Sequence, residues 1–308
     1  MALDQHVSEL LAFLEQAGGK SFELMDVHEF RGAVGSAVGM QKTPQDVTKV
    51  HLVDIPGPGG ALQARIYVPR EQVPLSVVVY FHGGGWVGGG LDVVDEPCRA
   101  LANRAGAIIV APSYRLAPEN KFPSAVDDAY AALMWVAQHI APFGGNIDKL
   151  FVAGDSAGGN LAAAAALIAR DRKGPKLAGQ ILLYPVVDAK SDYPSMHEHA
   201  EGYFLHAAAL SWFWDHYLST ADDRDDPYAS PIAGDLAGLP RTLIITMEYD
   251  PSRDQGEAYG AKLAVAGVDV RVTRMDGLIH GTFWSSGAVP RAEELYEEMA
   301  NFLRKQPG

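Results

Sequence analysis

Residues 150–160 read Leu150-Phe151-Val152-Ala153-Gly154-Asp155-Ser156-Ala157-Gly158-Gly159-Asn160, and an alanine-rich stretch follows to Arg170. The first four residues have the unbroken apolar character of a strand buried on both faces. The alanines are the strongest helix formers. Between strand and helix stands G-x-S-x-G, in the strand–turn–helix context that gives the pentapeptide its meaning. Gly154 and Gly158 let the two elements approach closely around a strained turn, and the serine at its apex is pushed out of the sheet. The amide of Ala157 falls at the helix N-terminus, where it can donate to a developing oxyanion. A serine that merely caps a helix would not need both glycines. Ser156 is therefore the candidate nucleophile.

Upstream, Val77-Val78-Val79-Tyr80-Phe81 runs into His82-Gly83-Gly84-Gly85-Trp86. Successive glycines after a buried strand leave backbone N–H groups unscreened by side chains. Acyl transfer needs donors of that kind about 3 Å from the oxygen that becomes negative. Gly84 and Gly85 are the candidate donors, with Ala157. His82 follows the strand directly and is read as a brace for the loop rather than a base. The second run, Gly88-Gly89-Gly90, reads as a flexible wall.

The acid and base that activate such a serine should follow it at the ends of later strands, in the order Ser, Asp, His. Strand 242–247 leads into Glu248-Tyr249-Asp250-Pro251-Ser252-Arg253-Asp254, with Pro251 placed to open the next helix. Asp250 thus lies in the turn, ahead of its rivals Asp254, Glu248 and Asp276. Beyond the last strand comes Leu278-Ile279-His280-Gly281, and His280 is the candidate base. The other nine histidines stand in the N-terminal segment, on a strand, at a helix end, beside the glycine loop or in an insertion. His197-x-His199 is half of a metal site at most, because no carboxylate or cysteine spacing completes it. No metal is expected.

Around these motifs, short β-branched runs alternate with helical stretches, the pattern of a mostly parallel sheet with helices on both faces. Strands are expected at 50–55, 63–68, 76–81, 107–111, 150–153, 180–184, 242–247 and 269–273. Helices are expected at 96–104, 125–139, 157–170, 252–266 and 291–304. The class is α/β, with eight strands doubly wound. Two segments fall outside the alternation. Residues 1–45 are helical and precede the first strand; residues 188–225 form an aromatic insertion carrying Tyr203, Phe204, Trp212, Phe213 and Trp214. Both read as a cap over the pocket of a catalytic domain made of 46–187 and 226–308. Trp86, Tyr184, Trp212 and Phe213 are the candidate pocket residues.

The chain has 308 residues, 48% of them hydrophobic and 20% charged, ordinary values for a globular enzyme. A net charge of -13 argues against nucleic acid and against an anionic membrane surface. The single cysteine, Cys98, excludes an intrachain disulfide and suits a reducing compartment. The N-terminus has no basic region before an apolar core. It reads as an amphipathic helix with Leu3, Leu10, Leu11 and Leu14 along one side rather than a signal peptide. The longest apolar run, 161–169, is far shorter than the ~20 residues that span a bilayer. A cytoplasmic location is expected.

Taken together, the motifs resemble the hormone-sensitive lipase family (bacterial family IV) of carboxylesterases, in the GDSAG branch of the α/β-hydrolase superfamily. The likeness covers residues of about 45 to 304. It rests on the HGGGW loop at His82, on GDSAGGN at Gly154, and on Tyr114-Arg115-Leu116-Ala117-Pro118-Glu119 running on to Phe122-Pro123 and Asp127-Asp128. The resemblance implies the triad Ser156, Asp250 and His280, oxyanion donors at Gly84, Gly85 and Ala157, a helical cap and no cofactor. It implies an ester of small-molecule size as substrate and, with the exposed final strand, a homodimer through that strand. Three positions depart from the family pattern: Ser252 stands for the usual Leu after Asp-Pro, Gln255 for Glu, and Thr282 for Phe after His-Gly. The expected activity is hydrolysis of short- to medium-chain esters through an acyl-enzyme, falling at a pH low enough to protonate the imidazole. A transacylase or amidase would use the same triad, a non-catalytic receptor would be expected to have lost part of it, and a peptidase would need a larger cap.

Overall fold

The computed structural model describes residues 2–71, 74–190 and 192–305. The β-branched runs become eight strands of one sheet: β1 Lys49–Gly57, β2 Gly60–Val68, β3 Leu75–Phe81, β4 Ile108–Pro112, β5 Gly145–Asp155, β6 Gly179–Leu183, β7 Thr242–Tyr249 and β8 Val270–Ile279. Their order is β1-β2-β4-β3-β5-β6-β7-β8. The β1–β2 hairpin adds antiparallel to β4, and every later pairing is parallel. This is the α/β-hydrolase fold. The central strands β3 and β4 are buried at almost every position, as a sheet covered on both faces requires.

Helices α3 Asp95–Ala105, α4 Ser124–His139, α5 Ala157–Asp171 and α8 Arg253–Val265 fill the crossovers, and α9 Ala292–Arg304 follows the last strand. From Ala157 to Ala169 every residue of α5 is buried. Its run of alanines keeps the helix thin enough to lie directly on β5 and β6.

Before the sheet begins, the chain makes α1 Gln5–Gln16 and α2 Val27–Ser36. The carboxylate of Asp4 caps α1 by accepting from the N–H groups of His6 and Val7, and Asp26 with Glu29 forms a capping box on α2. Between β6 and β7 lie α6 Pro194–Glu198 and α7 Ala207–Tyr217.

Two local expectations are corrected. The last strand does not stop at 273; it runs on to Ile279, accommodating Gly277 at φ +78°. Helix α8 begins at Arg253, so Pro251 belongs to the turn before it.

Candidate active site

Parallel strands deliver their C-terminal ends to one side of the sheet, and the register decides which residues meet there. Phe81 pairs with Gly154, so the glycine loop leaves β3 beside the turn that follows β5. Asp155 pairs with Leu183, which brings Tyr184 next to Ser156. A register shift after Met247 pairs Tyr249 with Ile279, and the next residue on each strand is Asp250 or His280. The acid and the base therefore emerge side by side.

Ser156 has φ 55° and ψ -119°, a conformation that a side chain rarely tolerates. A Cβ at Gly158 would overlap the carbonyl oxygens of Phe81 and His82, which is why glycine follows the elbow. Ser156 Oγ lies 2.9 Å from His280 Nε2, and His280 Nδ1 lies 2.8 Å from Asp250 Oδ2. Asp250 is fully buried and His280 nearly so, at 7% exposure. The rival carboxylates point elsewhere. Asp254 accepts from Ser195 N–H and pairs with Arg253, while Glu248 accepts from Gly277 N–H.

The amides of Gly84, Gly85 and Ala157 have no hydrogen-bond partner among the described residues. Gly84 and Gly85 take φ +109° and +60°, and the N–H groups of Val87 and Gly88 both donate to Gly84 O to close the loop. Beneath it, Asp155 Oδ1 accepts from Gly83 N–H and from Tyr80 O–H at 3.0 and 2.7 Å. Burial pushes the Asp155 carboxyl up to about 6. His82 stacks on Tyr114 with its Nδ1 2.8 Å from Gly83 O, and burial lowers its pKa to about 4. It is a neutral brace.

These groups open onto a cavity of about 1110 Å³, large for a small-molecule site. Of the expected pocket residues, Tyr184 and Phe213 are in its wall. Trp86 is not: at φ 59° its ring turns behind the loop and stacks on Tyr217 at 4.2 Å. Trp212 also stands outside the wall, packed on Phe30 at 5.5 Å and on His216 at 4.0 Å. Sequence reasoning missed how much wall the N-terminal helices supply, including Leu3, Leu11, Leu14, Phe22 and Phe30. The leucine stripe on the first helix was the available signal. It also missed Arg31, whose guanidinium on α2 donates to Val87 O, Ala117 O and both oxygens of Glu119, clamping α2 to the loop. That pairing holds the Glu119 carboxyl down at about 2.

Among the described residues no cluster of His, Cys, Asp and Glu could hold a metal ion. His197 faces Asp192, and His199 Nε2 lies 2.9 Å from the Arg253 guanidinium. Cys98 is buried, and desolvation pushes its thiol far up. No helix among the described residues is long and apolar enough to cross a membrane.

Comparison with known proteins agrees with this chemistry. Residues 78–284 match the family model described as alpha/beta hydrolase fold. Esterase LipI of Mycobacterium tuberculosis is 43% identical over 253 residues, covering 80% of this chain and 79% of that protein. An arylesterase of Saccharolobus solfataricus is 35% identical over 99% of both chains. Among solved structures, the hyperthermophilic esterase from the archaeon Pyrobaculum calidifontis superposes with a TM-score of 0.94 at 40% identity, over 99% of this chain and 98% of that one. With likenesses of that extent added to a serine elbow and its glycine loop, the chain belongs to the α/β-hydrolase family, among the carboxylesterases related to hormone-sensitive lipase.

Proposed function

We propose that this carboxylesterase acts on short- to medium-chain esters through Ser156, His280 and Asp250. His280 Nε2 takes the proton of Ser156 as Oγ attacks the ester carbonyl. The amides of Gly84, Gly85 and Ala157 hold the oxyanion. His280 then protonates the departing alcohol, and water, activated by the same nitrogen, releases the acid. Asp250 holds the imidazole with its Nδ1 proton turned inward. The observation that carries this reading is the unbroken Ser156–His280–Asp250 chain of contacts, 2.9 and 2.8 Å, with Ser156 and His280 lining the cavity. The segments 1–45 and 188–225 act as the cap, since both contribute walls to that cavity.

The assembly we propose is a homodimer that pairs the last strand with its copy, in a cytoplasmic protein. Support comes from β8 standing at the edge of the sheet with Val272 40% exposed, and from Val265 nearby on α8 at 90%.

Hydrolysis of p-nitrophenyl esters from acetate to palmitate tests the activity. Turnover is expected to peak at short or medium length, and Ser156→Ala is expected to lose about a thousandfold or more in kcat. Equal rates for wild type and variant on every ester would reject the assignment.

A further inference from the structure

Asp250 is fully buried, so each of its carboxylate oxygens needs a partner. Oδ2 accepts from His280 Nδ1. Oδ1 accepts twice from one residue, from the Ser252 backbone N–H at 2.7 Å and from the Ser252 hydroxyl at 2.8 Å. The same Oγ lies 3.4 Å from His280 Nδ1, so the hydroxyl spans the edge of the acid–base pair. Ser252 is itself fully buried, which keeps bulk water from taking its place. Any residue but proline at 252 could supply the backbone bond. Only a hydroxyl supplies the second, and here the sequence departs from the leucine usual in the family it resembles.

We infer that Ser252 is a positioning residue of the triad, whose hydroxyl fixes the Asp250 carboxylate and moderates the negative charge it presents to His280. For Nε2 to act as base, the imidazole proton sits on Nδ1 and points at Asp250, so the Ser252 hydroxyl donates to Oδ1 and not to the ring. A charge-assisted bond to Oδ1 draws electron density from Oδ2 and weakens the pull on the Nδ1 proton. It also holds the carboxylate plane in line with the ring. The other groups that act on the pair are Asp155 at the end of β5, His199 from the insertion, and the Tyr184 ring, 4.5 Å from His280. They are common to wild type and variants, so a comparison at position 252 isolates the hydroxyl.

The inference rests on the proposed triad, and kcat/KM against pH for wild type, Ser252→Ala, Ser252→Thr and Asp250→Asn tests the two separately. Without the hydroxyl, the acidic limb should move up by about half a pH unit. Turnover should fall about fivefold with KM within about twofold of wild type. Ser252→Thr should restore the limb; if its extra methyl prevents folding, a cycle with Asp250→Asn decides. On that background Ser252→Ala should cost less than about twofold more, because its effect passes through the missing carboxylate. An acidic limb that superimposes on wild type, or losses that simply add in the double variant, would overturn the role of Ser252. Full activity in Asp250→Asn would instead overturn the triad on which it depends.

Discussion

Gly83 donates its N–H to Asp155 Oδ1, and its carbonyl oxygen lies 2.8 Å from His82 Nδ1. Two buried titratable groups thus meet at one glycine under the glycine loop. Asp155 is raised to about 6 from 3.8, so between about 4 and 6 the native state binds a proton that the unfolded chain does not. Its contribution to stability is fully present below that window and lost as pH rises through it. His82 is lowered to about 4 from 6.5, so over much of the same window the native state lacks a proton that the unfolded chain holds. Its contribution is present above the window and lost as pH falls. The two slopes oppose each other. Asp155→Asn should leave the His82 slope uncompensated, so that stability climbs with pH between 4 and 6 more steeply than in wild type, by up to about tenfold in the unfolding constant per pH unit. Denaturant unfolding at several pH values reads this directly; parallel pH profiles for the two proteins would contradict it. Residue chemistry of this kind is only partly legible in a sequence. Ser156 announces itself through flanking glycines that nothing but a tight elbow requires. Ser252 looks like one more small turn residue, because its partnership with Asp250 depends on how the turn folds back. Trp86 after the glycine loop suggests a pocket wall, yet its positive φ sends the ring away from the cavity.

At the level of elements, strands read well where burial on both faces makes them continuously apolar, as in β3, β4 and β7. The end of β8 does not, because Asp276 and Gly277 look like a loop. Pairing with β7 carries the strand through them, and that continuation sets His280 beside Asp250. Long-range pairing is what a local reading lacks. The same strand is the exposed edge on which the proposed dimer depends. Val272→Asp would place a charge on that half-exposed edge and oppose its pairing with a second copy. Sedimentation should show wild type at twice the monomer mass and the variant at the monomer mass. A monomeric wild type, or a variant that remains dimeric, would exclude pairing through β8.

For the whole molecule, the order β2-β4-β3-β5 brings the glycine loop and the elbow together, although about seventy residues separate them in the chain. Alternating strands and helices foretold the class of fold, and the helical segment before β1 read as a cap, but neither told of that crossover nor which N-terminal side chains wall the cavity. Everything in this arrangement converges on one hydroxyl. An organophosphate ester tests it most directly, since attack by an activated serine on phosphorus leaves a stable adduct in the oxyanion pocket. Mass spectrometry of the inhibited enzyme should show a single adduct, carried by the peptide containing Ser156 and formed in proportion to lost activity, with none in Ser156→Ala. A stoichiometric adduct on another residue, or undiminished ester hydrolysis once Ser156 is fully modified, would contradict it.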